Sequence, residues 1–346
     1  MKTLVLLGHH VLTCFKGSFV REAKFTTDRY PRIAHGLFSP AIILLAAFTG
    51  FKALYLAFFV TPLWDIPDET GHLAYLMQIA HGGGVPELGE ARIPSEIMSH
   101  MRQAESASAG NWIAQHPPFY YIIAALPYWV AQQFTNDVEI LYRAPRVIAA
   151  IGLALLLLVL YRTARLTGLS ERACLCLAGC VGWLPMVSHL SSGTSHDIPL
   201  FLVSALSFHY LARFVLSHQN HDAYIAAFWL SLAGAIKMTA WVLLPPFVLV
   251  IALELRGNFR IWGLHLSGTT VLASALPAAW MLRNYWVYGN PMQTASSNAP
   301  PRLSEPLQTT FLEFLNSQPV IEHFLLNFYG LIGWTGTGAG QLRWFQ

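Results

Sequence analysis

Residues 39–72 read SPAIILLAAFTGFKALYLAFFVTPLWDIPDETGH. The stretch is apolar over roughly 20 residues, the length a helix needs to cross a bilayer core. It then runs without a linker into Asp65, Asp68, Glu69 and His72. A membrane-spanning helix emerging into an acidic surface is the simplest reading, and the composition agrees with it. Of 346 residues, 54% are hydrophobic and 11% charged, and mean hydropathy is +0.45. Soluble domains carry about 25% charged residues. These values exclude a disordered chain, a coiled coil, a collagen and a basic nucleic-acid binder, and they point to an integral membrane protein.

Working outward, the hydropathy predicts spans over 39–61, 145–163, 173–190, 197–216, 222–237, 239–254 and 261–282, with a partial apolar stretch over 320–334. The expected architecture is an all-α membrane bundle of about 7–8 transmembrane helices. Residues 1–38 form a basic flank with six Lys/Arg against Glu22 and Asp28. The loop 62–117 holds seven acids against Arg92 and Arg102, whereas 161–173 carries Arg162, Arg165 and Arg172. Lys and Arg favour the cytoplasmic side, so the acidic loop is expected outside, and the basic flank and the short loop inside. An odd number of crossings must separate the two loops. Residues 118–134, with Pro117 and Pro118 ahead and Pro127 inside, are therefore expected to lie along the membrane rather than cross it. That makes 62–144 one large external loop within a domain over 39–346. The four cysteines, three of them in one apolar segment, imply neither a disulfide framework nor a thiolate metal site.

The unusual polar residues gather at the expected external span ends. Asp65, Asp68 and Glu69 are three carboxylates within five positions, costly at a membrane surface unless a cation, a metal or a proton sits nearby. A helix starting near Asp68 would put His72 on the same face at i, i+4. Equally, Asp68 would serve as its N-cap and Glu69 as a partner of its positive end. His116 precedes a Pro-Pro pair that stiffens the chain. Arg143, Arg146, Lys237 and Arg283 supply positive charge at span ends, suited to an anion such as phosphate. Asp197 opens a span, as either a dipole partner or a site acid. Ser195-His196-Asp197 cannot form a nucleophile–base–orienter triad from adjacent positions.

In this order, Pro67-Asp68-Glu69 and His72, His116-Pro117-Pro118, Arg143, Asp197, and Arg283-Asn284 with Tyr288-Gly289-Asn290-Pro291 resemble the polytopic GT-C glycosyltransferases. These include the protein mannosyltransferases and the aminoarabinose-to-lipid-A transferases. The resemblance covers roughly 40–335. It implies a sugar transferred from a polyprenyl-phosphate donor to a lipid, glycan or protein acceptor at the periplasmic face of the cell membrane, with the N-terminus cytoplasmic. It also implies membrane-parallel helices in the first external loop, Asp68 as general base assisted by Glu69, and Arg143 and Arg283 facing the donor phosphate. His116 would shape the loop. Asp65 leaves open which acid is the base, and with Asp68 it would be the pair to hold a divalent Mg or Mn ion, which some family members do without. Relatives continue through further spans, so the chain reads as a shortened member. The competing readings are a lipid-linked carrier or transporter, and a non-catalytic scaffold or inactive fragment. A transporter would bury ionisable groups mid-span in paired halves. Lys52 is the one strong mid-span charge, and no paired halves are visible.

Overall fold

The computed structural model describes residues 38–99, 110–255 and 259–295. The expected flank over 1–37, the partial span over 320–334 and the chain end lie outside them.

Helix α1 (Pro40–Tyr55) starts on a proline at its first turn, where the missing N–H costs nothing. It continues through a π-helical turn, Leu56–Val60, closed by Thr61 N–H donating to Leu56 O at 2.7 Å. Helices α2 (Glu69–Ala80), α3 (Ser95–Ser99), α4 (Phe119–Gln132) and α5 (Val138–Arg143) follow, with a 3-10 turn at Trp112–Gln115. Helix α6 (Arg146–Leu166) sits centrally, packed against α1, α7 (Glu171–Trp183) and α9 (Asp197–Ser217). Beyond the short α8 (Pro185–Leu190), α9 packs on α10 (Asn220–Ile236), and α10 on α12 (Phe259–Tyr288). Between those two, the chain runs through a 3-10 turn (Met238–Leu243) into α11 (Leu244–Glu254).

The all-helical membrane class holds among the described residues. Three stretches are long and apolar enough to cross a membrane: Pro40–Val60, Val138–Leu166 and Asp197–Ser217. Most of the other expected spans occur as shorter or interrupted helices. The segment 173–190 is not one span but two helices, parted at Leu184, whose ψ of 130° is extended, just before Pro185. Proline disfavours helical geometry in the residue before it and removes a donor, so Pro185 accounts for the break. Helix α12, at 30 residues, outruns the expected 261–282.

Three apolar cores hold the fold. One lies between α1, α6, α7 and α9, around Ile42, Leu153, Leu157 and Ile198. A second joins α9, α10, α11 and α12 around Phe214, Leu230 and Ile251. The third belongs to the loop region: α2 lies on α4, burying Leu73, Tyr75, Leu76, Tyr120, Tyr121 and Tyr128 against Ala233 and Ile236 of α10. Helices α2 and α4, between the first two spanning stretches, thus form a packed layer against the end of α10, and that layer holds most of the candidate site.

Candidate functional site

The site begins with a tight crank between the first span and α2. Trp64 (φ 70°) and Asp68 (φ 60°) both adopt left-handed backbone without being glycine, which costs on the order of 1–2 kcal/mol each. Neighbouring contacts hold them there. Ile66, between them, is 1% exposed and pressed onto Gly193, where any Cβ would overlap it. Trp64 N–H donates to Glu69 Oε2 at 2.8 Å, and Trp112 Nε1–H donates to Asp68 Oδ1 at 3.0 Å. Asp68 occupies the N-cap position of α2 but makes no side-chain capping bond.

Glu69 and Arg146 form a buried bidentate ion pair. Nε and Nη2 of Arg146 donate to the two Glu69 oxygens at 2.8 Å each, and the side chains are 0% and 2% exposed. Every remaining lone-pair direction is taken up. Glu69 Oε1 also accepts Thr194 N–H at 2.9 Å. Arg146 donates further to Ala57 O, Thr61 O and Pro62 O. Arg143 adds Nη1 bonds to the same Ala57 and Thr61 carbonyls and pairs through Nε with Glu139 at 2.9 Å. Two of the three arginines expected to suit an anion, Arg143 and Arg146, are therefore engaged with the end of the first span, and Glu69 is engaged with Arg146.

Asp68 stands differently. It is partly exposed, and the Trp112 bond is the one hydrogen bond its carboxylate accepts among the described residues. Burial pushes its carboxyl above the ordinary range; the Trp112 bond and the Lys237 charge pull it back, and Asp197 pushes it up again. Asp65 lies beside His189. Among the described residues no three His, Cys, Asp or Glu side chains gather as a metal site.

Lys237, just past α10, pairs with Asp197 at the start of α9 at 3.2 Å, both about a quarter exposed. Ser195 Oγ–H donates to Asp197 Oδ2 at 3.0 Å. Behind this pair stand three imidazoles, from α2 (His72), the Trp112–Gln115 turn (His116) and the approach to α9 (His196). Ring centroids lie 4.7 Å apart for His72–His196 and 4.8 Å for His116–His196. His72 Nδ1 meets Tyr121 Oη at 2.9 Å. Burial pushes all three pKa values down, His116 to about 4, so the cluster is neutral at pH 7. His72 therefore shares its face of α2 with Asp68 but points to the imidazole cluster, while Asp68 points to Trp112.

Arg283, near the end of α12, donates to Asn284 Oδ1 at 3.3 Å and Tyr288 Oη at 3.1 Å, and lies over the rings of Trp280 and Tyr288. Its partners are neutral, so its charge is not cancelled by them. Tyr288 Oη accepts Leu88 N–H, tying α12 to the loop layer. Beside it opens a cleft of about 250 Å³ lined by His116, Lys237, Trp280 and Asn284, among others. Neither His196 nor Tyr121 is expected as a site residue from the sequence, where His196 enters only within the excluded Ser195-His196-Asp197 triad. A histidine one position before the expected span, at the same end as the acids, was the available signal.

A layer of short helices on a bundle of apolar spans, with acids, a guanidinium whose partners are neutral and a cleft, belongs to an integral membrane protein with a clustered set of polar side chains. Residues 115–281, just under half of the chain, match the family model described as dolichyl-phosphate-mannose-protein mannosyltransferase, which upholds the resemblance to the GT-C glycosyltransferases and supports a membrane glycosyltransferase of that type. No curated protein and no solved structure matches the chain. The matched segment holds His116, Arg143, Arg146, Asp197 and Lys237; it starts after Asp65, Asp68, Glu69 and His72 and stops before Arg283.

Proposed function

We propose that this chain transfers a sugar from a polyprenyl-phosphate donor to a hydroxyl, amine or amide acceptor at the external membrane face, with Asp68 as general base. The observation that carries the reading is the division of labour between adjacent acids. Both Glu69 oxygens are consumed by Arg146, Trp64 and Thr194. The neighbouring Asp68 carboxylate keeps an oxygen free of donors among the described residues and a proton affinity raised toward the working range of a base.

The step balances simply. The acceptor proton passes to Asp68, the acceptor heteroatom bonds the anomeric carbon, and the bond from that carbon to the phosphate oxygen breaks. The polyprenyl phosphate leaves with the electron pair. Arg283 is suited to hold the departing phosphate, since no carboxylate competes for it among the described ion pairs. Lys237 and Asp197 sit at the cleft as an exchangeable pair that orients polar groups of the substrate. Arg143, Arg146 and Glu69 act at one remove, by fixing the crank that aims Asp68. The family's name specifies a dolichyl-phosphate mannose donor and a protein acceptor; the donor class supports this reading, and sugar and acceptor are for the assay to identify.

The test is transfer of radiolabelled sugar from polyprenyl-phosphate donors in membranes carrying wild type, Asp68→Asn or Arg283→Ala. Asp68→Asn should lose roughly 10²–10⁴-fold in kcat with unchanged membrane yield. Arg283→Ala should weaken donor binding. Full turnover in Asp68→Asn overturns the base assignment, and no transfer by wild type from any such donor overturns the reading itself.

A further inference from the structure

Lys52 is an ionisable side chain near the middle of the first span, Pro40–Val60, and takes no part in the reaction proposed above. Its surroundings are specific. Nζ donates to Gly182 O at 3.0 Å and to Ser188 Oγ at 2.7 Å, and stands 4.3 Å from the Trp183 ring centroid. These three residues straddle the break between α7 and α8. In an unbroken helix, Gly182 O would receive the N–H four residues on. The turn at Leu184 and Pro185 removes that partner and leaves the Gly182 carbonyl, within the protein, only a long 3.5 Å bond from Ser188 Oγ–H. The Lys52 ammonium, with three donors, takes its place. Ser188, in the next helix, is bound by the same group.

What the break positions is the site. From α8 the chain turns through Ser191 and Ser192, with Ser192 Oγ bonded to Thr61 Oγ1 at 2.8 Å. It then presents Gly193 to Ile66, Thr194 N–H to Glu69, His196 to His72 and Asp197 to Lys237. An unbroken helix over 171–190 would carry these residues along another direction.

We propose that Lys52 is a positioning residue: a staple across the break between α7 and α8 that fixes the 191–197 segment against the Trp64–Glu69 crank. Its kinetic consequence rests on the transferase reading; its structural consequence does not.

The experiment pairs two readouts on the full chain in detergent or nanodiscs, for wild type, Lys52→Met, Lys52→Arg and Ser188→Ala. Hydrogen exchange over 184–197 should rise in Lys52→Met, rise less in Ser188→Ala, and return toward wild type in Lys52→Arg, whose guanidinium can reach both acceptors. Sugar transfer in Lys52→Met should fall on the order of 10- to 100-fold in kcat, the scale of a small misplacement of reacting groups, with donor KM unchanged. If Lys52→Met loosens the whole protein, Ser188→Ala decides, because it removes one partner and leaves the ammonium. Unchanged exchange over 184–197 in Ser188→Ala then overturns the proposal, as does unchanged exchange in a folded Lys52→Met. A local rise without transfer in any variant, wild type included, upholds the staple and overturns the transferase reading alone.

Discussion

Two ion pairs lie at the same end of this molecule and behave oppositely. Glu69–Arg146 is dry, bidentate and saturated, with neither side chain more than 2% exposed. Asp197–Lys237 is a single 3.2 Å contact with both partners 27% exposed, at the lip of a cleft. A buried pair repays its desolvation only when every donor and acceptor is matched, and then removing one partner is expensive. A half-exposed pair is worth little to stability, which leaves it free to exchange its partner for a substrate group. The first pair is architecture and the second is equipment.

The comparison breaks most sharply at the dry pair. Glu69→Gln turns an acceptor into a donor facing Arg146, Trp64 N–H and Thr194 N–H, and should cost about 3–5 kcal/mol, read as a large fall in detergent thermal stability. A stable Glu69→Gln protein would dissolve the distinction. One residue earlier, Asp68→Asn keeps an acceptor for Trp112 and removes a poorly solvated charge. Its thermal stability should stay at or slightly above wild type while transfer collapses, so the two adjacent acids should separate cleanly on a stability-against-activity plot. Asp197→Asn comes next: at most about 1 kcal/mol of stability, with a rise in substrate KM that kinetics would resolve. Trp112→Phe removes the one bond that lowers the Asp68 pKa. The acid limb of the pH–rate profile should then move to higher pH, and an unmoved limb would detach Asp68 from catalysis.

The smallest effect is in stability against pH. His116 titrates near 4 in the fold against about 6.5 unfolded. Between those values the unfolded chain binds the extra proton, so acidification from pH 6.5 toward 4 should erode stability, and His116→Asn should flatten that slope. For Asp68 the sign reverses. Its raised pKa means folding opposes its ionisation, so its contribution falls as pH rises from the unfolded value through the folded one.

Much of the fold was legible because the bilayer imposes a length and a polarity on every crossing. The expected 39–61 and 197–216 differ from the observed spans by no more than one residue at either end, the expected 145–163 starts seven residues inside the observed Val138–Leu166, and 118–134 was picked out as a distinct loop element. The break at Leu184 was missed although Pro185 stood in the sequence, because an apolar window averages over one proline. At the site, residue types were readable but their division was not. Nothing in Asp68-Glu69 says which acid meets an arginine 77 positions away; that depends on two left-handed residues, neither of them glycine. The N-cap geometry was legible as a position, while the capping bond it suggested goes instead to Trp112. His196 looked like part of a false triad and hid its real neighbours, His72 and His116.

The π-helical turn at the end of α1 carries a consequence for biogenesis. Its Ala57 and Thr61 carbonyls are closed by Arg143 and Arg146, which belong to the next spanning stretch, some 80 residues later in the chain. During synthesis the first span must leave the insertion machinery with that end open and wait while the entire loop layer is made. A nascent chain arrested before Arg143 should therefore hold its first span loosely, vulnerable to membrane proteases, and become resistant only when the second span arrives to cap it.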